Sequence, residues 1–210
     1  MRLRLFDYWR SSTSYRVRIA LAIKGVAHER VAINLVAAEH GEADYRARNP
    51  QGLVPTLEVD GVPITQSLAI IDWLDATYPE PRLIPADPMA RARALARTLI
   101  IATDIHPIQN MRVLKQLEKA FGADQGARED WYRHWMAEGF AALETMAGDG
   151  PFLGGAAPDI ADLCLVPQMY NARRFALPLD AYPRLVAIDA AACALPAFAA
   201  AHPDRVKPAA

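Results

Sequence analysis

The chain has 210 residues, of which 52% are hydrophobic and 22% are charged, and its formal net charge is −1. Its length allows one large domain or two small ones, and a charge near zero provides no positive field for nucleic acid. No apolar run approaches the roughly 18 residues of a membrane span, and the N-terminus lacks the apolar core of a signal peptide. We therefore expect a cytoplasmic protein with neither a membrane nor a nucleic-acid partner.

Cysteine and histidine are too scattered to indicate a disulfide framework or a metal site. Cys164 and Cys193 are far apart in the sequence and fit neither a disulfide pattern nor a zinc motif. None of the five histidines pairs with another at metal-ligand spacing, so no metal is predicted. Cys164 lies in an apolar helical run, which is typical of an inert buried thiol.

The first eighty residues alternate between strand and helix patterns. The predicted strands cover residues 2–7, 28–35, 56–59 and 62–65, and the predicted helices cover residues 14–24, 43–48 and 68–78. Gly25 ends the first helix, and Asp60–Gly61 predicts a tight hairpin between the last two strands. The order βαβαββα predicts an α/β domain at 1–80, and the prolines that follow predict a stiff linker at 81–87.

The remainder of the chain shows only helical patterns. Pro107 lies inside a predicted long helix at 88–120 and should kink it. Further helices are predicted at 127–147, 160–172 and 184–195, followed by a loose tail at 203–210. Asp159 and Asp162 form a capping-box pattern at the start of the helix at 160–172, which is apolar on most sides. We therefore predict a second, all-helical domain at 88–210, with helix 160–172 in its core.

A cluster of hydroxyl side chains marks the start of the first helix. Ser11, Ser12 and Thr13 follow Arg10 at the point where the strand pattern changes to a helical one. Serine and threonine oxygens accept hydrogen bonds from the first N–H groups of a helix, and the helix dipole favours negative charge there. The cluster fits either a plain helix cap or a site for an anion or a thiolate.

Two further sites are suggested in the α/β half. Val54–Pro55 precedes a strand, and a cis bond there could leave the Val54 N–H and C=O free to pair with an extended ligand backbone. An ordinary trans proline at a sheet edge is the alternative. Gln66 and Ser67 begin the helix at 68–78, where the Ser67 N–H and hydroxyl could hold a carboxylate or could simply cap the helix.

The helical half contains polar residues around Pro107. His106 and Asn110, four residues apart, are predicted to share a helix face, whereas Asp104 is not. His106 could serve a site or could be a satisfied core histidine. Arg173 and Arg174 could neutralise the C-terminal dipole of their helix; alternatively, one of them could join Arg10 in binding a substrate carboxylate.

Five motifs occur in order along the chain and together are more specific than any one of them. They are SSTSYRVRIAL from Ser11, NPQGLVPTL from Asn49, QSLAII from Gln66, DIHPIQN from Asp104 and NARRF from Asn171. In this order the chain closely resembles the zeta class of glutathione transferases, and within it the bacterial isomerases of maleyl keto-acids. The resemblance covers roughly residues 3–200. It implies a thioredoxin-like N-terminal domain, an all-helical C-terminal domain and a homodimer.

The resemblance implies glutathione as the cofactor and assigns a role to each motif. Val54 and Pro55, as a cis pair, would grip the cysteinyl backbone of glutathione. Gln66 and Ser67 would hold the γ-glutamyl carboxylate, and Gln51 would lie near the glycyl end. From the helical domain, the residues implied to line the site are Asp104, His106 and Asn110, with Asp104 reaching the glutathione of the neighbouring subunit.

The implied reaction is a glutathione-dependent cis–trans isomerisation of maleylacetoacetate or maleylpyruvate. Ser11, Ser12 and Thr13 would face the sulfur, and Arg10 and Arg174 would hold the carboxylates of the substrate. Arg112 offers a further carboxylate contact. The resemblance alone does not separate the two substrates, which differ by a small group worth only about 1–3 kcal/mol in binding.

One departure from the family pattern concerns the sulfur. Many zeta enzymes have a cysteine where this chain has Thr13, and the chain also lacks the Cys-x-x-Cys motif of thioredoxins. The reacting sulfur must therefore come from the ligand, which argues against a disulfide oxidoreductase. Two alternatives stay open: a transferase that conjugates glutathione to small electrophilic acids, and a non-catalytic glutathione-binding protein.

Overall fold

A computed structural model describes residues 1–208 of the chain. The chain forms two compact units. The first unit contains residues 1–84 together with the segment from Ala194 onward, and the second contains residues 85–193. The C-terminal segment thus groups with the first unit, whereas the sequence analysis assigned it to the helical domain.

The first unit is built on a four-stranded sheet. Its elements up to residue 84 are β1 (Leu3–Asp7), α1 (Ser12–Ile23), β2 (Glu29–Ala32), α2 (Ala43–Arg46), β3 (Thr56–Val59), β4 (Val62–Thr65) and α3 (Ser67–Thr77). The strand order is β2-β1-β3-β4, with β2 parallel to β1 and the other pairs antiparallel. The predicted thioredoxin-like βαβαββα order is confirmed.

Local sequence signals explain the turns of this sheet. Asp60 and Gly61 have φ angles of 47° and 88°, as a tight hairpin requires. Gly25 has a φ of 62° directly after α1, a left-handed conformation that glycine adopts without steric strain. Leu5 and Leu57 face each other across β1 and β3 and are fully buried, so the sheet contributes directly to the apolar core.

The regular secondary structure of the second unit is helical, with an isolated β-bridge between Phe152 and Gly155. Its regular helices are α4 (Pro88–Leu99), α5 (Met111–Phe121), α6 (Gln125–Met146), α7 (Ile160–Arg174) and α8 (Pro183–Cys193). Helix α7 is buried from Ile160 to Met169, including Cys164, as its apolar pattern predicts. The expected capping box is present: Ala161 N–H donates to Asp159, and Asp159 N–H donates to Asp162.

The prediction of one kinked helix at 88–120 is wrong. The chain passes from α4 into a π-helical segment (Ile100–Ile105) and a 3₁₀ turn (Pro107–Gln109) before α5 begins. His106 N–H donates to the carbonyl of Ile101, five residues back. Proline cannot donate to the helical ladder and its ring clashes with the preceding turn. His106 and Asn110 therefore do not share a face of one continuous helix.

Gly139 of α6 provides room for this irregular segment. A Cβ atom at residue 139 would lie 2.3 Å from the Cδ1 atom of the buried Ile105. Gly139→Ala is expected to lower the free energy of unfolding by about 1–3 kcal/mol, because the core must shift to accept the methyl group. Urea unfolding followed by circular dichroism measures this change.

Gly126→Ala provides the control for that substitution, because it lies in the same helix. A Cβ atom at residue 126 meets nothing closer than 3.4 Å, and alanine is the better helix former by about 1 kcal/mol. The control variant should be as stable as the parent or more stable. Equal losses in the two variants would contradict the packing argument.

The C-terminal segment is ordered as α9 (Pro196–Ala201) and α10 (Pro203–Val206). Helix α9 packs on α1, and Arg18 and Arg30 donate to the carbonyls of Ala201 and Val206. The predicted loose tail is therefore wrong for residues 203–206, which form α10 and are held at Val206 by a long-range hydrogen bond from Arg30 of β2. Residues 209 and 210 lie outside the described part of the chain.

Candidate active site

The N-terminus of α1 is capped by its own sequence. Ser14 N–H donates to the Ser11 side chain over 3.2 Å, and Ser11 has the extended backbone that a capping residue adopts (φ −69°, ψ 124°). The first turn of α1 contains no acidic residue. The first turn of α1 therefore supplies no carboxylate of its own to neutralise the positive end of the helix dipole.

A chain of hydroxyl groups connects this cap to the loop before β3. The Thr13 hydroxyl donates to the Val54 carbonyl over 3.0 Å and lies 2.9 Å from the Ser11 hydroxyl. A hydroxyl has one proton, so Ser11 must donate its proton to Thr13. Of the two hydroxyl protons, only that of Ser11 can be redirected, from Thr13 to a bound sulfur, because the Thr13 proton holds the Val54 carbonyl. Ser12 is buried in the same turn.

The loop at Val54 has the expected cis geometry, with one difference. Val54–Pro55 is a cis peptide bond, as the resemblance implies. The Val54 carbonyl already accepts a hydrogen bond from Thr13, whereas the sequence analysis expected it to be unpaired. A carbonyl oxygen has two lone pairs, so it can accept a second donor.

Tyr45 and Asn49 support this loop, and the sequence analysis missed both of them. The Tyr45 hydroxyl and the Asn49 amide donate to the Leu53 carbonyl over 2.7 and 2.6 Å, and both contact Thr56. Burial raises the pKa of Tyr45 above its ordinary value, so the hydroxyl stays protonated as a donor. Asn49 is the first residue of the NPQGLVPTL motif, but its bonding role, like that of Tyr45, is visible only in the folded loop.

The N-terminus of α3 brings together three of the predicted residues. Gln66 precedes α3 with a φ of 70° and no side-chain cap, and its amide donates to the Gln51 side chain over 2.6 Å. Ser67 is the first residue of α3 and is buried. Its hydroxyl lies 3.5 Å from the guanidinium of Arg16, a residue that the sequence analysis did not single out.

The polar residues of the second unit lie in its irregular segment. Asp104 is exposed and accepts a hydrogen bond from the Thr103 hydroxyl, and His106 is half-buried. Asn110 caps α5 by accepting from the N–H of Arg112 over 3.1 Å. The side chain of Asn110 thus has a structural partner within its own helix start.

The two arginines at the end of α7 have different surroundings. Arg173 forms an ion pair with Asp189 of α8 at 2.6 Å, a structural role that the sequence analysis did not foresee. The Arg174 guanidinium lies 4.9 Å from the ring centre of Phe175, and Tyr132 stacks on the same ring at 3.7 Å. In the first unit, the Arg10 guanidinium lies 5.2 Å from the Trp9 ring. Stacking on an aromatic face orients a guanidinium so that its edge can meet a carboxylate.

Residues 1–208 show neither a membrane-spanning helix nor a metal cluster. Within this part of the chain, no helix combines the length and apolar character needed to cross a bilayer. The same residues contain no group of three or more His, Cys, Asp and Glu side chains arranged to hold a metal ion.

Comparison with known proteins places the whole chain among related sequences. Residues 1–76 match the model of the glutathione S-transferase N-terminal domain. The maleylacetoacetate isomerase of Rhizobium meliloti (strain 1021) is 48% identical over 207 residues, which cover 97% of each chain.

Solved structures show the same similarity. The holo structure of a maleyl pyruvate isomerase, a bacterial glutathione S-transferase of the zeta class, has a TM-score of 0.96 and 44% identity, covering 99% of this chain and 100% of that one. The maleylacetoacetate isomerase of Anaeromyxobacter dehalogenans 2CP-1, solved with dicarboxyethyl glutathione and citrate in its active site, has a TM-score of 0.88 and 46% identity. It covers 100% of this chain and 98% of its own.

Proposed function

Because this chain belongs to the glutathione S-transferase family, among its maleylacetoacetate and maleylpyruvate isomerases, we propose that it is a glutathione-dependent cis–trans isomerase of maleyl keto-acids. The observation that carries this proposal is the hydroxyl chain from Ser11 through Thr13 to Val54 at the start of α1. It supplies a thiolate site in a segment without a cysteine of its own.

Glutathione, when bound, would supply a thiolate nucleophile for the substrate double bond, whose π electrons would pass to the keto oxygen as an enolate and return when the thiolate leaves, so that the intervening single bond can rotate. Residues of the chain lower the free energy needed to form that thiolate. The N-terminus of α1 offers N–H groups and a positive dipole end, and Ser11 donates a hydrogen bond. These donors fit a sulfur anion better than a neutral thiol, because their charge complements it.

The remaining residues hold glutathione and the substrate. We assign the cysteinyl backbone of glutathione to Val54 and Pro55, and its γ-glutamyl carboxylate to Gln66 and Ser67. Gln51 is assigned to the glycyl end. From the helical unit, the residues assigned to the cofactor are Asp104, His106 and Asn110. Arg10 and Arg174 orient the two carboxylates of the substrate, with Arg112 as a further contact.

The proposal extends to organisation and location. We infer a glutathione-binding domain at 1–80, a linker at 81–87 and a helical substrate-binding domain that begins at residue 88. The segment from Ala194 onward, which the sequence analysis included in the helical domain at 88–210, groups with the first unit. We further infer a homodimer in the cytoplasm. Size-exclusion chromatography with light scattering tests the dimer, since a single species of 23.1 kDa would contradict it.

The deciding experiment is isomerisation of maleylpyruvate and of maleylacetoacetate, each with and without glutathione. We expect turnover that requires glutathione and does not consume it, and the ratio of the two rates identifies the preferred substrate. Consumption of glutathione with a halogenated acid, without isomerisation, would instead identify a conjugating transferase. Retention on immobilised glutathione without turnover of any electrophile would identify a binding protein.

Arg10→Ala and Arg174→Ala should each raise the KM for the keto-acid about tenfold to a hundredfold. The expected loss is that of one hydrogen bond between charged groups, about 1.5–3 kcal/mol. Steady-state kinetics at saturating glutathione measure the change, and the KM for glutathione should stay constant.

Arg173→Ala is the matched control, because it removes the same charge from the same helix turn. Arg173 forms an ion pair with Asp189, so removing the Arg173 side chain should leave the KM for the keto-acid unchanged. If Arg10→Ala and Arg174→Ala also leave this KM unchanged, the two arginines do not bind the carboxylates.

A further inference from the structure

Arg16 is a buried cation with unused donors. It lies on α1 with only 2% of its surface exposed, and its Nη1 atom is 3.5 Å from the Ser67 hydroxyl. Its Nε and Nη2 atoms have no acceptor among residues 1–208. Arg18, two residues later, is equally buried but pairs with Asp7 and two carbonyls.

A buried guanidinium without a counter-charge is costly. Arginine stays protonated in proteins, and an uncompensated ion in the interior costs several kcal/mol even after relaxation. Within the described residues, Arg16 forms no ion pair. Its position is therefore explained best by an anion that approaches the same place from outside.

The start of α3 points to the same anion independently of Arg16. Helix α3 has no acidic residue in its first turn and no side-chain cap, so its first N–H groups and its dipole favour a negative charge. Gln66 holds a φ of 70° before this helix, a conformation that is rare for a residue with a Cβ atom. Such local strain is often retained at ligand sites.

Ser67 connects the guanidinium to the surface of the site. Arginine can only donate hydrogen bonds, so the Ser67 oxygen accepts from Arg16 and its own proton is directed elsewhere. A hydroxyl polarised in this way is a stronger donor to a carboxylate. Ser67 is 5% exposed, so it can meet a ligand at its outer edge.

We propose that Arg16 is a positioning residue that supplies the buried positive charge for the γ-glutamyl carboxylate of glutathione, acting through the Ser67 hydroxyl at the start of α3. This inference rests on the proposed function, because it takes glutathione as the ligand. It predicts that the affinity for glutathione depends on a side chain that does not lie at the surface.

The test compares Arg16→Met with the parent protein by isothermal titration. The two probes are glutathione and 4-aminobutyryl-Cys-Gly, which lacks only the carboxylate in question. The parent should bind glutathione about tenfold to a hundredfold more tightly than the analogue. Arg16→Met should bind the two probes about equally, and Arg16→Lys should restore the preference only in part, because a buried lysine loses its proton more readily than arginine.

A thermal unfolding measurement separates this role from a purely structural one. Without ligand, Arg16→Met should be as stable as the parent or more stable, because a buried unpaired charge is replaced by an apolar chain of similar length. Arg2→Met is the control for net charge, since Arg2 is exposed, and it should keep the full preference for glutathione.

The possible failures are distinguishable. An unchanged preference for glutathione in Arg16→Met would overturn the role of Arg16, whatever happens to stability. Glutathione binding without isomerisation by the parent would overturn the proposed activity but not the assignment of Arg16. If the parent does not bind glutathione at all, both proposals are wrong.

Discussion

Replacing Asp7 with alanine is expected to lower the free energy of unfolding by about 3–5 kcal/mol, the usual cost of removing one partner from a buried ion pair. Asp7 is fully buried at the end of β1. It accepts a hydrogen bond from Arg18 over 2.8 Å and two from Arg30, both over 3.1 Å. Burial lowers the pKa of Arg18, and the Asp7 carboxylate opposes that shift. Without Asp7, Arg18 would remain buried beside no counter-charge.

The loss should extend to the C-terminal segment. Arg18 and Arg30 also donate to the carbonyls of Ala201 and Val206, so Asp7 orients the two groups that hold α9 and α10. Hydrogen exchange in residues 196–206 should therefore accelerate more in Asp7→Ala than exchange in the core of the second unit.

Urea unfolding measures the global effect, and Glu29→Ala is the matched control. Glu29 lies on β2 in an exposed ion pair with Arg2 at 2.8 Å, and the Arg2 hydrogen bond lowers its pKa. Exposed pairs contribute little to stability, so this variant should unfold at nearly the same urea concentration as the parent. An Asp7→Ala protein no less stable than the Glu29→Ala protein would show that Asp7 does not hold this network together.

Ser11→Ala is expected to lower kcat about a hundredfold to a thousandfold, the range found when one hydrogen-bond donor to a developing anion is removed. The reason is the direction of the hydroxyl protons. Thr13 donates to Val54, so only Ser11 can redirect its proton, from Thr13 to the sulfur. Thr13→Val should cost less, because it disturbs only the orientation of Ser11 and Val54.

The measurement that tests this role of Ser11 directly is the pKa of the thiol in bound glutathione. The thiolate absorbs in the ultraviolet, and its titration in the complex should show a higher thiol pKa in Ser11→Ala than in the parent. If kcat falls while the pKa of the bound thiol is unchanged, Ser11 does not stabilise the thiolate.

Loss of the helix cap must be separated from loss of the donor. Ser11→Ala also removes the acceptor for Ser14 N–H, which costs about 1 kcal/mol of stability. Asp124→Ala removes an equivalent cap, because Asp124 accepts from Ala127 N–H at the start of α6. This control should lose a similar stability while keeping its kcat.

The sequence alone determined the elements whose signals are local. The hairpin at Asp60–Gly61 and the capping box of Asp159 and Asp162 appear where they were predicted. Each depends on residues within three positions of one another, so neighbouring residues in the sequence are enough to predict it. The Ser11 cap and the order of the first seven elements follow for the same reason. The ordered motifs also led to the family and to the reaction class.

Only the tertiary structure decided the features that join distant residues. Packing of Ile105 against Gly139 accompanies the break around Pro107, where the sequence indicated a kinked helix. Arg18 reaches Ala201 across 183 positions, Thr13 reaches Val54 across 41, and Arg16 reaches Ser67 across 51. The physical reason is that a buried donor needs an acceptor, which the folded chain can supply from any position in the sequence. Hydrophobic periodicity and motif spacing do not predict which distant residue supplies that acceptor.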